Sequence, residues 1–179
     1  MDPGAPTRKK ATQGCVCGFL GDSSIACRCR EHEVRAYLSR LSGPMLDRID
    51  LQVDVGRVAT DELLADQPLP AGESERVRTR VIAARARALA RLGDASGVFA
   101  NAQLDIRLLR RHCALRGSTR TLLRAAAERL ALTARSIHRV LKVARTIADL
   151  DCAAEIEERH LSEALQYRSL ERALAQFKD

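Results

Sequence analysis

Four cysteines crowd into a short stretch, as Cys15-Val16-Cys17 and Cys27-Arg28-Cys29, while Cys113 and Cys152 stand alone. Two Cys-X-Cys pairs supply four thiolates that could close tetrahedrally on zinc, with metal–ligand energy offsetting the ordering of a Gly-rich loop. The one-residue gap inside each pair is tighter than the usual two-residue gap of zinc knuckles, so free buried thiols are the equal alternative. In a reducing compartment either state is more apt than a disulfide framework. His32 lies near enough in sequence to substitute as a ligand, although a surface place on the following helix suits it better. Charged side chains form the second group. Asp47-Arg48-Ile49-Asp50 reads by residue type as a polar turn with local ion pairs. Arg135 falls two residues past Thr133, on the first turn of a helix, where backbone N–H groups and the helix dipole favour an anion. Arg139, Lys142 and Arg145 continue the basic side of that helix and read as a solvated face.

The elements that must position these residues follow from periodicity. Residues 1–13 combine Pro, Gly, Thr and Lys without a period and read as a disordered tail. Val34, Tyr37, Leu38 and Leu41 recur at helical spacing over residues 31–41, with a stop near Ser42-Gly43-Pro44. A short helix carrying Met45 and Leu46 comes next, and Leu51, Val53 and Val55 then alternate as in a half-buried strand. Residues 59–73 hold Asp66, Pro68, Pro70 and Gly72, which suits a linker.

Beyond the linker the chain reads as wholly helical over residues 74–179. Val77, Val81, Ala84, Ala88 and Leu92 trace one face of a helix over 74–92 that Gly93 ends. A short helix is expected over 104–113, and one over 118–130 with Leu122, Leu123, Ala126 and Leu130 inward. Thr133 caps a helix whose Ile137, Val140, Leu141, Ala144, Ile147 and Ala148 give the clearest 3.6-residue pattern in the chain. A last helix starts near Glu158 and runs to Tyr167 or on to Phe177. The fold class is therefore mainly α, a C-terminal helical bundle preceded by an α/β remnant over residues 14–58.

Composition narrows the partners. No stretch approaches the roughly 18 consecutive apolar residues of a membrane span, and residues 1–10 lack the apolar run of a secretory signal, so the expected compartment is the cytoplasm. Thirty Lys+Arg against 23 Asp+Glu give a formal charge of +7, which favours phosphate-bearing partners, DNA among them. Since 26 of the 30 bases are arginine in a chain rich in Ala and Leu, a genomic base-composition bias accounts for the excess equally well. The five aromatic residues, Phe19, Tyr37, Phe99, Tyr167 and Phe177, are too scattered to stack successive bases.

Three segments occur in an order and at a spacing with a known counterpart. They are Cys15-Val16-Cys17-Gly18-Phe19-Leu20-Gly21-Asp22 with Cys27-Arg28-Cys29, then residues 40–51 around Leu46-Asp47-Arg48, and then residues 132–150 from Leu132-Thr133-Ala134-Arg135. The closing residues 160–168, His160 to Arg168, fit as well. Over about residues 14–172 the chain resembles the magnesium-chelatase-like AAA+ ATPases, in particular the ComM branch associated with competence and DNA branch migration. The resemblance implies that the helical bundle is the lid of an AAA+ module. It places Arg48 at the arginine finger, which reaches the nucleotide of a neighbouring subunit in trans. A fixed guanidinium suits that work because it can neutralise charge building on a γ-phosphoryl oxygen. Arg135 matches the sensor-2 arginine of the lid.

The same resemblance exposes gaps. The sequence contains no Gly-X-X-X-X-Gly-Lys-Ser/Thr and no apolar strand ending in acidic residues. Where relatives carry Asn-Pro before the first cysteine pair, the Asn being sensor 1, this chain has Gln13-Gly14. The expectation is a C-terminal fragment, a truncated gene or a displaced start codon. ATP and Mg2+ would then be bound only within a larger assembly, with a full-length AAA+ relative or the missing N-terminal portion as partner. The alternatives are a stand-alone basic helical module that binds DNA or protein, and a gene remnant without function.

Overall fold

The computed structural model describes residues 14–22, 24–40, 45, 48–53, 55–65, 72–93 and 97–168. The chain divides into two units, residues 1–43 and 44–179, ahead of the stretch expected to act as a linker. In the first unit a run of turns leads into α1 (Glu31–Leu38). The Arg30 N–H donates to the Glu33 carboxylate at 2.7 Å, which satisfies one of the donors left open at a helix start. Val34 and Leu38, one turn apart on the helix, are its buried face. Leu41, expected to continue that helix, lies outside the described residues.

The second unit contains α2 (Thr60–Leu64), α3 (Glu73–Leu92), a 3₁₀ turn (Asn101–Gln103), α4 (Ile106–His112), α5 (Gly117–Arg129), α6 (Ala134–Leu150) and α7 (Glu158–Gln166). Helix α6 is its centre. The Thr133 hydroxyl accepts from the Ser136 N–H at 3.1 Å, so the expected N-cap is in place. Val140, Leu141, Ala144, Ile147 and Ala148 are all buried, packed with Leu92 of α3, Leu109 of α4 and Leu161, Ala164 and Leu165 of α7. Burying Val140, Leu141 and Ile147 contributes about 1.5–3 kcal/mol each relative to exposure, so α6 anchors the bundle. Leu122, Leu123, Ala126 and Leu130 of α5 lie half-buried against this core rather than in it. Helix α6 ends at Leu150, and two residues on Cys152 has φ +59°. The Ala153 N–H donates back to the Ala148 carbonyl at 2.8 Å, closing the last turn.

Three expectations differ from the structure. Val77 and Val81 are exposed, as are all residues 73–82 of α3, while Ala84, Ala88 and Leu92 are buried as read. No strand forms at residues 51–55 among the described residues. Gln52 is buried there and Leu51, Val53 and Val55 face outward, the inverse of a half-buried strand. A strand needs a neighbouring strand for its ladder, and here the Gln52 N–H donates instead to the Tyr167 carbonyl at 3.0 Å. Within the expected linker, residues 60–64 form α2, and residues 66–71 lie outside the described set. The tail 1–13, most of the short helix around Met45 and the chain beyond residue 168 also lie outside it. No helix of the described residues is long and apolar enough to cross a membrane.

Candidate functional site

The two arginines singled out by sequence both belong to the second unit, and both are exposed. Arg48 sits in a turn in which its own N–H donates to the Met45 carbonyl at 3.0 Å. The residues that follow are fastened to the helical bundle. Arg168, 1% exposed just past α7, donates through Nη1 to the Ile49 carbonyl at 3.0 Å. Asp50 pairs with Arg139 of α6, and the Gln52 N–H reaches the Tyr167 carbonyl. Arg135 lies one helical turn before Arg139, a separation of about 5–6 Å between Cβ atoms. One ion pair, Asp50 with Arg139, thus joins the stretch that carries Arg48 to the helix that carries Arg135. Neither Arg48 nor Arg135 makes an ion pair with a described residue, and Asp50 of the 47–50 turn pairs with Arg139 of α6. Asp47 lies outside the described residues.

The reading of Arg139, Lys142 and Arg145 as a solvated face is corrected. Arg145 is 1% exposed. Its Nη2 pairs with Asp149 Oδ1 at 3.0 Å, and its guanidinium caps the Ala153 and Ala154 carbonyls at 2.7 and 2.9 Å. Lys142 donates to the Ala102 carbonyl at 2.9 Å. Asp149 also takes both terminal nitrogens of Arg91 from α3, at 2.5 and 2.8 Å, and the Asn101 side-chain amide at 2.8 Å. A planar fork meeting a carboxylate in this way fixes orientation as well as distance. Burial would raise the Asp149 carboxyl. The hydrogen bonds from Arg91 and Asn101 and the charge of Arg145 outweigh burial and hold it below the usual carboxylate range. This network locks α3 to α6 and was not singled out by sequence. Its signal was there, since Arg145 and Asp149 follow Ala144 and Ala148 around the buried side of one helix.

The cysteines do converge. All four Sγ atoms lie within 4.8 Å of one another, with Cys15–Cys17 at 3.3 Å, Cys17–Cys27 at 3.5 Å and Cys15–Cys27 at 3.6 Å. The thiols are free, and Cys15 is fully buried. Backbone N–H groups of Phe19 and Arg28 directed at Cys17 draw its thiol down to about 6. At Cys27 the Cys29 N–H acts in the same sense, but desolvation and the adjacent Cys17 and Cys15 thiols push it up to about 12. His32 is exposed on α1 and outside the group. Such a set of soft donors can hold a single metal ion.

Comparison with known proteins places both units. Residues 71–168 match the family described as magnesium chelatase, subunit ChlI C-terminal, and residues 8–63 match magnesium chelatase, subunit ChlI. The chain is 38% identical over 147 residues to the uncharacterized protein YifB of Escherichia coli, covering 82% of this chain and 28% of that protein. To the competence protein ComM of Haemophilus influenzae it is 38% identical over 148 residues, again 82% of this chain and 28% of the relative. The YifB protein of Salmonella typhimurium is 37% identical over a like span. The chain therefore corresponds to little more than a quarter of the length of these relatives.

Proposed function

The chain belongs to the magnesium-chelatase family, and from that membership we propose that it acts as the C-terminal piece of an AAA+ ATPase, presenting Arg48 and Arg135 to nucleotide. The phosphate loop of that ATPase lies elsewhere, in another polypeptide or in a longer form of this one, because the sequence holds no Gly-X-X-X-X-Gly-Lys-Ser/Thr. One observation carries the reading. Ile49, Asp50 and Gln52 are each tied to the helical bundle while Arg48 beside them stays exposed and without an ion pair among the described residues. A guanidinium held on a rigid support and left uncommitted is what stabilisation of a transferring phosphoryl group requires. Arg135 is presented alike on the first turn of α6, beside open backbone N–H groups that favour an anion.

On this reading Arg48 acts in trans as an arginine finger and Arg135 as the sensor-2 arginine. ATP and Mg2+ are cofactors of the assembly, and zinc at the four thiols is the further cofactor it admits. The partner is a full-length AAA+ relative. The test is binding of a fluorescent ATP analogue and ATP hydrolysis, each measured with the chain alone and mixed with a relative that has an intact phosphate loop. The expected result is neither activity alone and stimulated hydrolysis in the mixture, abolished by Arg48→Ala. ATP turnover by the purified chain alone would overturn the proposal.

A second reading has its own observation. Arg76, Arg78, Arg80 and Arg85 of α3 are all exposed, on a chain whose formal charge is +7. We infer that this helix contacts the phosphates of DNA, as a motor that processes DNA would require. Binding that weakens steeply with salt and is indifferent to ATP and to Arg48→Ala would favour a stand-alone binding module. Binding that needs ATP and the partner would return DNA to the motor.

A further inference from the structure

The described residues of the first unit bury little apolar surface of their own. Among its described residues only Cys15, Val34 and Leu38 are buried apolar side chains. A stretch as short as residues 14–40 usually needs a disulfide, a metal or a partner to stay folded. No disulfide is present, since all the cysteines are free. What the unit does possess is four thiols brought together from the two ends of a loop.

Their geometry is that of one ion rather than a cluster. A tetrahedral centre with metal–sulfur bonds of about 2.3 Å sets its sulfurs about 3.8 Å apart. The separations among Cys15, Cys17 and Cys27 are 3.3–3.6 Å, and every pair of the four lies within 4.8 Å. A polynuclear iron–sulfur cluster divides its thiolates among several irons and holds them farther apart. The backbone is arranged for the same purpose. N–H groups of Phe19 and Arg28 are directed at Cys17, that of Cys29 at Cys27 and that of Cys17 at Cys29. Hydrogen bonds of this kind orient ligand sulfurs and spread their charge. Gly18, at φ +83°, makes the turn after Cys17 that a side chain would strain. Four thiolates around a divalent cation carry a net charge of −2, and Arg28 and Arg30 stand within and next to the second pair to offset it.

We propose that Cys15, Cys17, Cys27 and Cys29 bind a single tetrahedral Zn2+ that serves as the structural centre of residues 14–40. Binding exchanges the thiol protons for the metal, with up to four protons released to solvent and no change of oxidation state. The ion is fully enclosed by protein ligands, with no position open to water or substrate, so it folds the unit and takes no part in chemistry. This inference is independent of the nucleotide reading. It concerns the other unit, and the one can fail while the other stands.

The experiment is metal analysis of the purified full-length chain, followed by cobalt substitution. About one zinc per chain is expected, with thiolate charge-transfer and tetrahedral d–d bands in the cobalt form. Zinc should fall to background in the Cys17→Ser/Cys29→Ser variant and stay unchanged in Cys152→Ser, whose cysteine is exposed and apart from the cluster. Should the double variant fail to fold, the stoichiometry and cobalt spectrum of the unsubstituted protein decide alone. Iron in place of zinc would overturn the proposal. So would metal-free protein, purified with zinc present, in which Cys15, Cys17, Cys27 and Cys29 are alkylated as fast as Cys152.

Discussion

Arg168 and Ile49 are 119 residues apart in sequence and joined by a 3.0 Å hydrogen bond from a buried guanidinium to a backbone carbonyl. That contact fastens the stretch next to Arg48 to the end of α7. Arg168→Leu should lower stability by about 1.5–3 kcal/mol, the range for a hydrogen bond from a charged donor. Urea unfolding checks that figure, and ATPase stimulation in the mixed assay should fall although Arg48 is intact. Lost stability with full stimulation would mean that Arg48 does not depend on this anchor.

Arg48 and Arg135 are exposed and make no ion pair with a described residue, so replacing either should leave the fold alone. Arg48→Ala should change unfolding free energy by less than about 0.5 kcal/mol. In the mixed assay it should lower kcat by about 10³-fold or more, and Arg48→Lys should recover little, since an ammonium lacks the fixed planar fork. Arg135→Ala should weaken nucleotide binding in the same assembly. A large stability loss in either variant would assign the residue to the fold instead.

Asp149 behaves oppositely, being 2% exposed and bonded to Arg91, Arg145 and Asn101. Asp149→Ala strands buried cations and should cost about 3–5 kcal/mol. The sign of the pH effect follows from its depressed carboxyl. The unfolded chain binds the proton first, so the stabilisation is complete above the ordinary carboxyl range and is lost as pH falls through the lower, folded value. Chemical denaturation across acidic pH should show a fall in stability that Asp149→Asn flattens. Equal slopes in the two proteins would refute the assignment.

Cys152 holds φ +59° at the end of α6, a conformation that costs a residue with a side chain about 1–2 kcal/mol. Its side chain is exposed and takes no part in the core. Cys152→Gly should therefore raise stability by about 1 kcal/mol, visible as a higher urea midpoint with an unchanged slope. A lower midpoint would show that the lost side chain or added unfolded-state freedom matters more.

Helix α6 was legible because every signal at that position agrees: a cap at Thr133, apolar side chains at a 3.6-residue period and no breaker before Asp151. The spacing of Cys15, Cys17, Cys27 and Cys29 allowed their convergence without deciding between a metal site and free buried thiols. Residues 51–55 were not, because Leu51, Val53 and Val55 carry the alternation of a strand in a chain whose described residues give it no strand to pair with. Arg145 was misread, and Asp149 passed over, for a different reason. Charge on a helix ordinarily marks the solvent side, and partners beyond that helix, Arg91 and Asn101 for Asp149 and the Ala153 and Ala154 carbonyls for Arg145, offset their burial. The pairing of Asp50 with Arg139, 89 residues on, was equally beyond periodicity.

The fastening of Ile49, Asp50 and Gln52 to Arg139, Tyr167 and Arg168 has a reciprocal side. Free energy exchanged between two ends of a connected structure is felt equally at both. If Arg48 engages the phosphates of a neighbour as proposed, the end of α7 should be steadied with it, and fraying of α7 should slacken that grip. On the proposed function, amide exchange near Tyr167 and Arg168 should then report a nucleotide bound at Arg48.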